Sequence, residues 1–525
     1  MTEDIRSLLL ERVIRQVTLA HQRGDYGTAI TLCLEALSET GNDAVTLNVL
    51  GVCLRDQGDL PRAVDVFGRA ISHNPRFSWS YLNRGLIFLR LGRDDEAVSD
   101  FENVINIRPS HPARMHLGSI ELRRQRFRLA LNHFDEALLL VPSDHVAFNQ
   151  RGIALRKLGK LEESLDSYER AIRLKPDSAE YHYNHGIQLR LMGRLEEAIQ
   201  SLDRALSLRP DFPEAGFHKA TLLLTFGRYR EGWPLYELRW HGSLDLRTHR
   251  KHGQRPWLGD MAIAGKTIFV HGEQGLGDRI QMARYIPLLA DAGATIILEA
   301  EKPLVTLFRG LRGVTQIIAP SESAPDTDLH CPMMSLPLAF KTTVDTVPKT
   351  IPYLHPPRTR VTFWRRCLGE TTKMRVGLMW RGGNESKIAG RSISFAQLSK
   401  ILTPDIEWIS LQKEHTEEEM GMMGRLGVRA FDKHQQDLSD AAALCTLVDV
   451  VISVDTSMAH LAGSVGKPVW TMLPFDADWR WMRSRTDTPW YPTMQLIRQS
   501  KQNEWEDVLR TLAGNLTSLR RSTGW

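Results

Sequence analysis

Two hydrophobic rhythms divide the chain. From about residue 10 to residue 240, apolar residues recur three and four positions apart, the period of amphipathic helices. Beyond Lys266 the pattern becomes short apolar runs separated by helical stretches, as in parallel sheets buried on both faces. Strands are predicted over Thr267–His271, Thr295–Ala300, Val314–Ala319, Arg375–Trp380, Glu407–Gln412, Val450–Val454 and Val469–Leu473. Helices are predicted over Arg279–Ala292, Phe395–Leu402 and Ser457–Val465, the last closed by Gly466 and barred from continuing by Pro468.

The helical part repeats. Glycines stand at Gly51, Gly85, Gly118, Gly152 and Gly186, spaced 34, 33, 34 and 34. Each is followed after 12 residues by a small residue (Ala63, Ala97, Ala130, Ser164, Ala198) and after 16 by a bulky one (Phe67, Phe101, Phe134, Tyr168, Leu202). Proline follows after 24 (Pro75, Pro109, Pro142, Pro176, Pro210). These markers resemble the tetratricopeptide repeat (TPR), a helical hairpin that stacks into a superhelix. In this reading small residues let the paired helices approach, the bulky one fills the gap to the next repeat, and proline ends the second helix. Degenerate copies precede (Gly24, Ala29, Ala36) and follow (Ala220, Gly227, Gly232), making six to seven units. The resemblance implies a groove for a peptide segment. Asn83, Arg84, Asn149, Arg151, Tyr183 and Asn184, on the first helices of their repeats, are its candidate lining and suit peptide backbone and acidic or hydroxylated side chains. Trp233, Tyr236 and Trp240 share a helical face and are expected to cover the open end of the array.

Length changes the picture little: 525 residues exceed one core and suggest three or four domains. The net charge of +5, from 67 basic and 62 acidic residues, is small and forms no long basic run. That charge argues neither for nor against nucleic acid, and no nucleic-acid partner is expected. The five cysteines (Cys33, Cys53, Cys331, Cys367, Cys445) form no CxxC pair, which argues against a zinc site or disulfide framework and fits a reducing cytoplasm. The amino terminus reads as a charged amphipathic helix without a signal-peptide core, and no apolar run is long enough to span a bilayer.

Candidate chemistry lies at two turns. In VVISVDTSMAHLAGSVGKPVWTMLP, Val450–Pro474, a strand runs through Asp455 and Thr456 into a helix. The carboxyl end of a strand meets a helix amino terminus there, a place where open α/β sheets bind ligands and where unpaired N–H groups meet anions. Thr456, Ser457 and His460 can add side-chain donors. The alternative is a plain helix cap, since Asp, Thr and Ser are preferred caps anyway. The second turn, GEQGLGD over Gly272–Asp278, lacks the third glycine of a dinucleotide fingerprint. Asp278 is a candidate base or a helix cap; His271 and His460 are rival bases. Lys387 and Arg391, with Arg381, lie in the loop RGGNESKIAGRS after the Arg375–Trp380 strand, where they are either phosphate ligands or solvated charges. Asp326–Asp328 and Asp476–Asp478 are DxD sequences of the kind that holds a metal in other folds, but no metal is expected here. Arg480, in the cluster Trp479–Arg483, is a candidate cleft contact.

Two strand-helix halves joined by a proline-rich connection (Pro348, Pro352, Pro356, Pro357) resemble the GT-B glycosyltransferase architecture, two Rossmann-like domains facing a cleft. Gly277-Asp278, Ile280 and Ile286-Pro287 resemble the amino-terminal loop of family 9, the ADP-heptose:lipopolysaccharide heptosyltransferases. SVDTSMAHLAGSVGKP resembles that family's donor-binding turn, D-T-x-x-x-H-x-A. LPFDADWRWMRSRTDTPWYP, Leu473–Pro492, looks like a subgroup of bacterial proteins that fuse TPR repeats to such a transferase. The domain plan is similar to that of O-GlcNAc transferase. The implied organisation is a TPR solenoid over 1–240, a junction over 241–262, GT-B halves over 263–360 and 361–500, and a terminal helix over 501–525.

The resemblance implies that Asp278 is the base and that the turn carrying Asp455, Thr456, Ser457, Met458 and His460 binds a nucleotide sugar; Gly275, Gly277, Arg381, Lys387, Arg391 and Arg480 are expected to complete the donor site. It also implies leaving-group charge met by protein donors, with no metal or cofactor. Typical heptosyltransferase acceptor elements are not found, and those enzymes lack the repeats, which points away from heptose and lipid A. The expectation is a cytoplasmic glycosyltransferase acting on Ser or Thr of a protein, flagellin being one acceptor known for TPR-linked transferases. The alternatives are a glycan or lipid acceptor, or a TPR adaptor with an inactive transferase half. Donor, stereochemistry and oligomeric state are left open by these residues.

Overall fold

The computed structural model describes residues 3–241, 254–383, 390–431 and 434–523. Contacts divide it into two compact units, Met1–Arg209 and Pro210–Trp525.

The first unit is six antiparallel helix pairs. The degenerate pair Glu3–Gln22 and Tyr26–Thr40 comes first, and Ala179–Leu191 with Leu195–Leu208 comes last. A Cβ on Gly118 would lie 2.6 Å from the Phe134 ring, and one on Gly152 would lie 2.7 Å from the Tyr168 ring. The bulky residue therefore packs onto the glycine of its own repeat, not into the gap before the next one. That close approach is why glycine and aromatic keep a 16-residue spacing. Ala63, Ala97, Ala130, Ser164 and Ala198 are wholly buried between helices. Ser164 stands in an alanine position because its hydroxyl donates to the Gly152 carbonyl at 2.8 Å and lies 3.1 Å from Gln188 Oε1. Each marker proline falls two residues after its helix ends, as Pro142 follows Leu140.

The second unit begins with a seventh pair, Pro213–Thr225 and Tyr229–Tyr236. The aromatics expected to cover the array pack within this unit. Tyr229, Trp233 and Tyr236 are buried in the core of the α/β portion. The Trp233 indole donates to the Thr342 carbonyl at 3.1 Å, and the Trp490 indole to the Tyr229 hydroxyl at 3.1 Å. The unit break therefore falls some thirty residues before the expected border at 240.

Two five-stranded sheets follow. With β1 (Arg255–Pro256), β2 (Thr267–His271), β3 (Thr295–Glu299), β4 (Val314–Ile318) and β5 (Leu329–Pro332), the first has the order β1-β5-β2-β3-β4. With β6 (Arg375–Met379), β7 (Glu407–Ser410), β8 (Val450–Val454), β9 (Val469–Leu473) and β10 (Met494–Arg498), the second has the order β10-β9-β8-β6-β7. All pairings are parallel. β1, β5 and β10 escape the apolar-run reading because they are short or interrupted by polar residues. The helix expected over Arg279–Ala292 is three pieces, Leu276–Met282, Ala283–Tyr285 and Ile286–Asp291, with Pro287 opening the third. Phe395–Leu402 likewise shortens to Phe395–Leu398 and a 3-10 turn. The carboxyl-terminal helix Glu506–Thr523 buries Val508, Leu509, Leu512 and Leu516 against one face of the second sheet. Among the described residues no helix is long and apolar enough to cross a membrane.

Candidate functional site

Strand direction brings the two turns together. β2, β6, β8 and β9 run parallel within their sheets, and the turns at their carboxyl ends line one cavity of about 670 Å³ in the second unit. Gly275, Gly277 and Asp278 come from the turn after β2, Arg391 from the loop after β6, Asp455, Thr456, Ser457 and His460 from the turn after β8, and Arg480 from the loop after β9.

The glycine-rich turn is held from beneath. Arg239 is fully buried and grips Glu273 with Nε at 2.8 Å and Nη2 at 3.0 Å, while the Met334 N–H donates to Glu273 at 2.9 Å. Gln274 donates from Nε2 to the Tyr236 hydroxyl at 3.0 Å and accepts from Arg480 at 3.4 Å. The helix then starts at Leu276, three residues earlier than expected. Asp278 is thus inside its first turn and not its preceding cap, and it accepts the Gly275 N–H at 2.9 Å. Gly277 serves a close approach: a Cβ there would lie 2.9 Å from His460 Cδ2. Its lack of a side chain lets the helices Leu276–Met282 and Ser457–Ser464 meet.

Asp278 also pairs with Arg480 Nη2. Arg480 is spoken for on every arm: Nη1 donates to Asp478 at 2.5 Å and Nε to Gln281 at 2.8 Å, and the guanidinium lies over the Trp479 ring at 4.5 Å. Burial pushes the Asp278 carboxyl above its usual range, and Arg480 opposes the shift. Burial does the same to Asp455, with Arg391 opposing; the Arg391 Nε donates to the Asp455 carbonyl. Among the described residues the cavity lining carries three carboxylates, Asp278, Asp455 and Asp478, against two guanidinium groups.

On the second turn, Thr456 is the helix cap and its hydroxyl accepts the Met458 N–H at 3.3 Å. The Ala459 N–H goes to the Thr456 carbonyl, so part of the expected anion-binding row is satisfied within the turn. Met458 itself faces the core, with its sulfur 3.8 Å from Cys445 Sγ, and does not line the cavity. His460 lines it, stacked on Trp481 with ring centroids 5.1 Å apart.

Three other expectations change. His271 ends β2 but lies away from the cavity, 3.1 Å from His330 on the neighbouring strand β5. Arg381 turns from the cavity to Glu419 at 2.9 Å, a carboxylate fixed by its capping box with Thr416. Lys387 lies outside the described residues. Conversely, Gln274, Met379, Gly382, Gly383 and Asp478 line the cavity without having been singled out for it. Gly382-Gly383 straight after a strand was the available signal. Of the DxD residues, Asp328 accepts the Thr267 N–H at 2.8 Å, and Asp478 caps the turn Trp479–Trp481. Among the described residues no group of three His, Cys, Asp or Glu is arranged for a metal.

The candidate groove residues of the first unit are largely satisfied internally. Asn149 and Asn184 are 2% and 6% exposed, and Asn184 donates to Asn149 at 3.0 Å, so they join successive repeats instead of facing a ligand. Asn83 makes the equivalent bond to Asn48 at 3.1 Å. Arg84 is bidentate to Asp100 at 2.7 and 2.9 Å, and Arg151 bonds Asp135 and Ser167 at 2.6 and 2.7 Å. Tyr183 is half-buried.

The family models that match fall in the helical part. Tetratricopeptide-repeat models match residues 50–112 and 179–212, and a TPR-repeat model matches residues 152–191. Protein FlbA of Caulobacter vibrioides is 28% identical over 318 residues, 55% of this chain and 52% of that protein. The chain thus spans about half the length of this curated relative. The structure of YrrB, described as a TPR protein with an unusual peptide-binding site, is 24% identical with a TM-score of 0.34, covering 36% of this chain and 97% of that one. The Pseudomonas aeruginosa pilF structure is 17% identical with a TM-score of 0.37, covering 41% and 98%. The first part of this chain, with glycines 33 or 34 residues apart, a bulky residue 16 after each, and matching repeat models, carries tetratricopeptide repeats.

Proposed function

We propose that this protein is a glycosyltransferase that moves a sugar from a nucleotide-sugar donor to a Ser or Thr hydroxyl of a protein recruited by its TPR array. The observation that carries the reading is the convergence of the glycine-rich turn after β2 and the Asp-Thr-Ser turn after β8 on one cavity. Two parallel sheets with the cavity at their strand ends are compatible with a GT-B arrangement. TPR repeats favour a protein partner, and flagellin is the acceptor that the sequence resemblance suggests.

In this reading Asp278 takes the proton of the acceptor hydroxyl, whose oxygen attacks the sugar carbon as the bond to phosphate breaks. The departing phosphate gathers negative charge at the amino end of Ser457–Ser464, beside Arg391 and Ser457. Each charge-assisted hydrogen bond there is worth about 1.5–3 kcal/mol. Arg480 holds Asp278 in position and keeps its carboxylate form accessible.

One observation favours a second reading, binding without turnover: Arg480 is engaged by Asp278, Asp478 and Gln281. The full chain incubated with UDP-, ADP- and CMP-linked sugars separates the two. Release of free nucleotide, and a sugar-sized mass gain on a co-purified protein, are expected and should vanish in Asp278→Ala. Nucleotide-sugar binding with neither release nor mass gain would favour the adaptor; no binding to any donor would sink both.

A further inference from the structure

His460 has one ring edge occupied and one facing the cavity. Its Nδ1 is 2.9 Å from the hydroxyl of Tyr491, a residue with no exposed surface. Stacking on Trp481 and the close packing of Gly277 against Cδ2 hold the ring in place. Nε2 is therefore the polar atom that His460 can offer to the cavity it lines.

Which nitrogen carries the proton follows from the hydroxyl chain behind it. The Ile280 carbonyl can only accept, so the contact of 3.0 Å between it and Tyr353 uses the Tyr353 proton. Arg284 can only donate, and its Nη2 reaches the Tyr353 oxygen at 3.2 Å. The 3.5 Å contact between the two phenols is oriented with Tyr491 as acceptor, so the Tyr491 proton goes to His460 Nδ1 at 2.9 Å. Arg284, whose guanidinium lies 4.6 Å from the Tyr491 ring, separately discourages a doubly protonated imidazole behind the same phenol. Burial, with Arg480, Arg391 and Arg284 nearby, holds the imidazole well below its usual titration range.

We infer that Tyr491 is a positioning residue that fixes His460 as the tautomer protonated on Nε2, so that the ring presents a hydrogen-bond donor, and not a base, to the cavity. Resting on the glycosyl-transfer reading, that donor meets a phosphate oxygen of the nucleotide, and acceptor deprotonation falls to Asp278 alone.

The test is the ¹⁵N spectrum of the imidazole nitrogens in the full chain, with His460 assigned by its loss in His460→Gln. A bare Nδ1 and a protonated Nε2 are expected. A proton on Nδ1 would overturn the inference. In Tyr491→Phe the ring should become a mixture of tautomers; an unchanged single tautomer would remove Tyr491's role. Binding of ADP and of UDP by calorimetry supplies the functional arm. His460→Gln keeps an N–H near the Nε2 position and should retain affinity within about threefold, whereas His460→Ala should lose about three- to tenfold. If His460→Gln abolished turnover while nucleotide affinity held, the ring would be a base and the inference wrong. If neither nucleotide bound the wild-type chain, the glycosyl-transfer reading would fall, whereas the tautomer result would still judge Tyr491.

Discussion

Arg239 has no exposed side-chain surface, yet it faces Glu273 at 6% exposure and Glu237 at 19%. Its guanidinium spends all three nitrogens on these carboxylates, the Ser335 hydroxyl at 2.7 Å and the Tyr236 carbonyl at 3.1 Å. Arg239→Met keeps most of the volume but leaves Glu273 charged and uncompensated in the core. Breaking a buried pair from one side costs about 3–5 kcal/mol, whereas neutralising both partners costs far less. Glu273→Gln added to Arg239→Met should therefore restore much of the loss. The acid range sharpens the expectation. Burial raises the Glu273 carboxyl above its usual range, and Arg239 opposes the shift. Removing the arginine raises it further. A carboxyl raised in the folded state contributes stability that is full below its unfolded value, about 4.3, and lost as pH climbs through the folded one. The deficit of Arg239→Met should thus be largest at pH 7.5 and shrink towards pH 5. Urea unfolding followed by tryptophan fluorescence suits the question, because 12 of the 13 tryptophans lie beyond Arg209 and report the second unit. At about 3 kcal/mol per molar urea the midpoint should fall by roughly 1 M or more. A loss under about 1 kcal/mol, an equal loss at both pH values, or a double variant no better than the single would refute the argument.

Other outcomes follow from the same structure. Gly277→Ala should push His460 away and cost about 1–3 kcal/mol together with nucleotide affinity, whereas Gly275→Ala, whose nearest atom is Asp278 Oδ2 at 3.5 Å, should be mild; urea unfolding and calorimetry read both. Gly118→Ala, colliding with Phe134, should lower the melting point of the helical array by circular dichroism, while Gly68→Ala, at 3.6 Å from Arg84 Nη1, should hold or raise it by removing a helix-interior glycine. If Asp278 is the base, the acid limb of kcat/KM lies above the ordinary carboxylate range, because burial raises that carboxyl. Arg480→Gln removes the charge that opposes the shift and should move the limb to higher pH; Asp478→Asn removes a neighbour that raises it and should move the limb lower.

What could be read along the chain was whatever depends on near neighbours. The glycine, small, bulky and proline markers of the repeats are contacts inside one helical hairpin, so their spacing is local and visible. β8, its Asp-Thr cap and the helix Ser457–Ser464 are likewise one continuous segment whose caps and apolar runs are self-contained. Tertiary structure decided what depends on the far side of a contact. Whether a cation is available depends on which acid lies opposite: Glu419, 38 residues away, takes Arg381, and Asp278, 202 residues away, holds Arg480. His271 and His460 look alike as strand-end and helix residues, but only His460 comes to the cavity, because β5 sets His330 beside His271 and Gly277 opens room beside His460. The seventh helical pair carries the repeat's own periodicity. Its membership of the second unit rests on Tyr229, Trp233 and Arg239 finding partners more than thirty residues along the chain, and burial against those partners is a property no local pattern encodes.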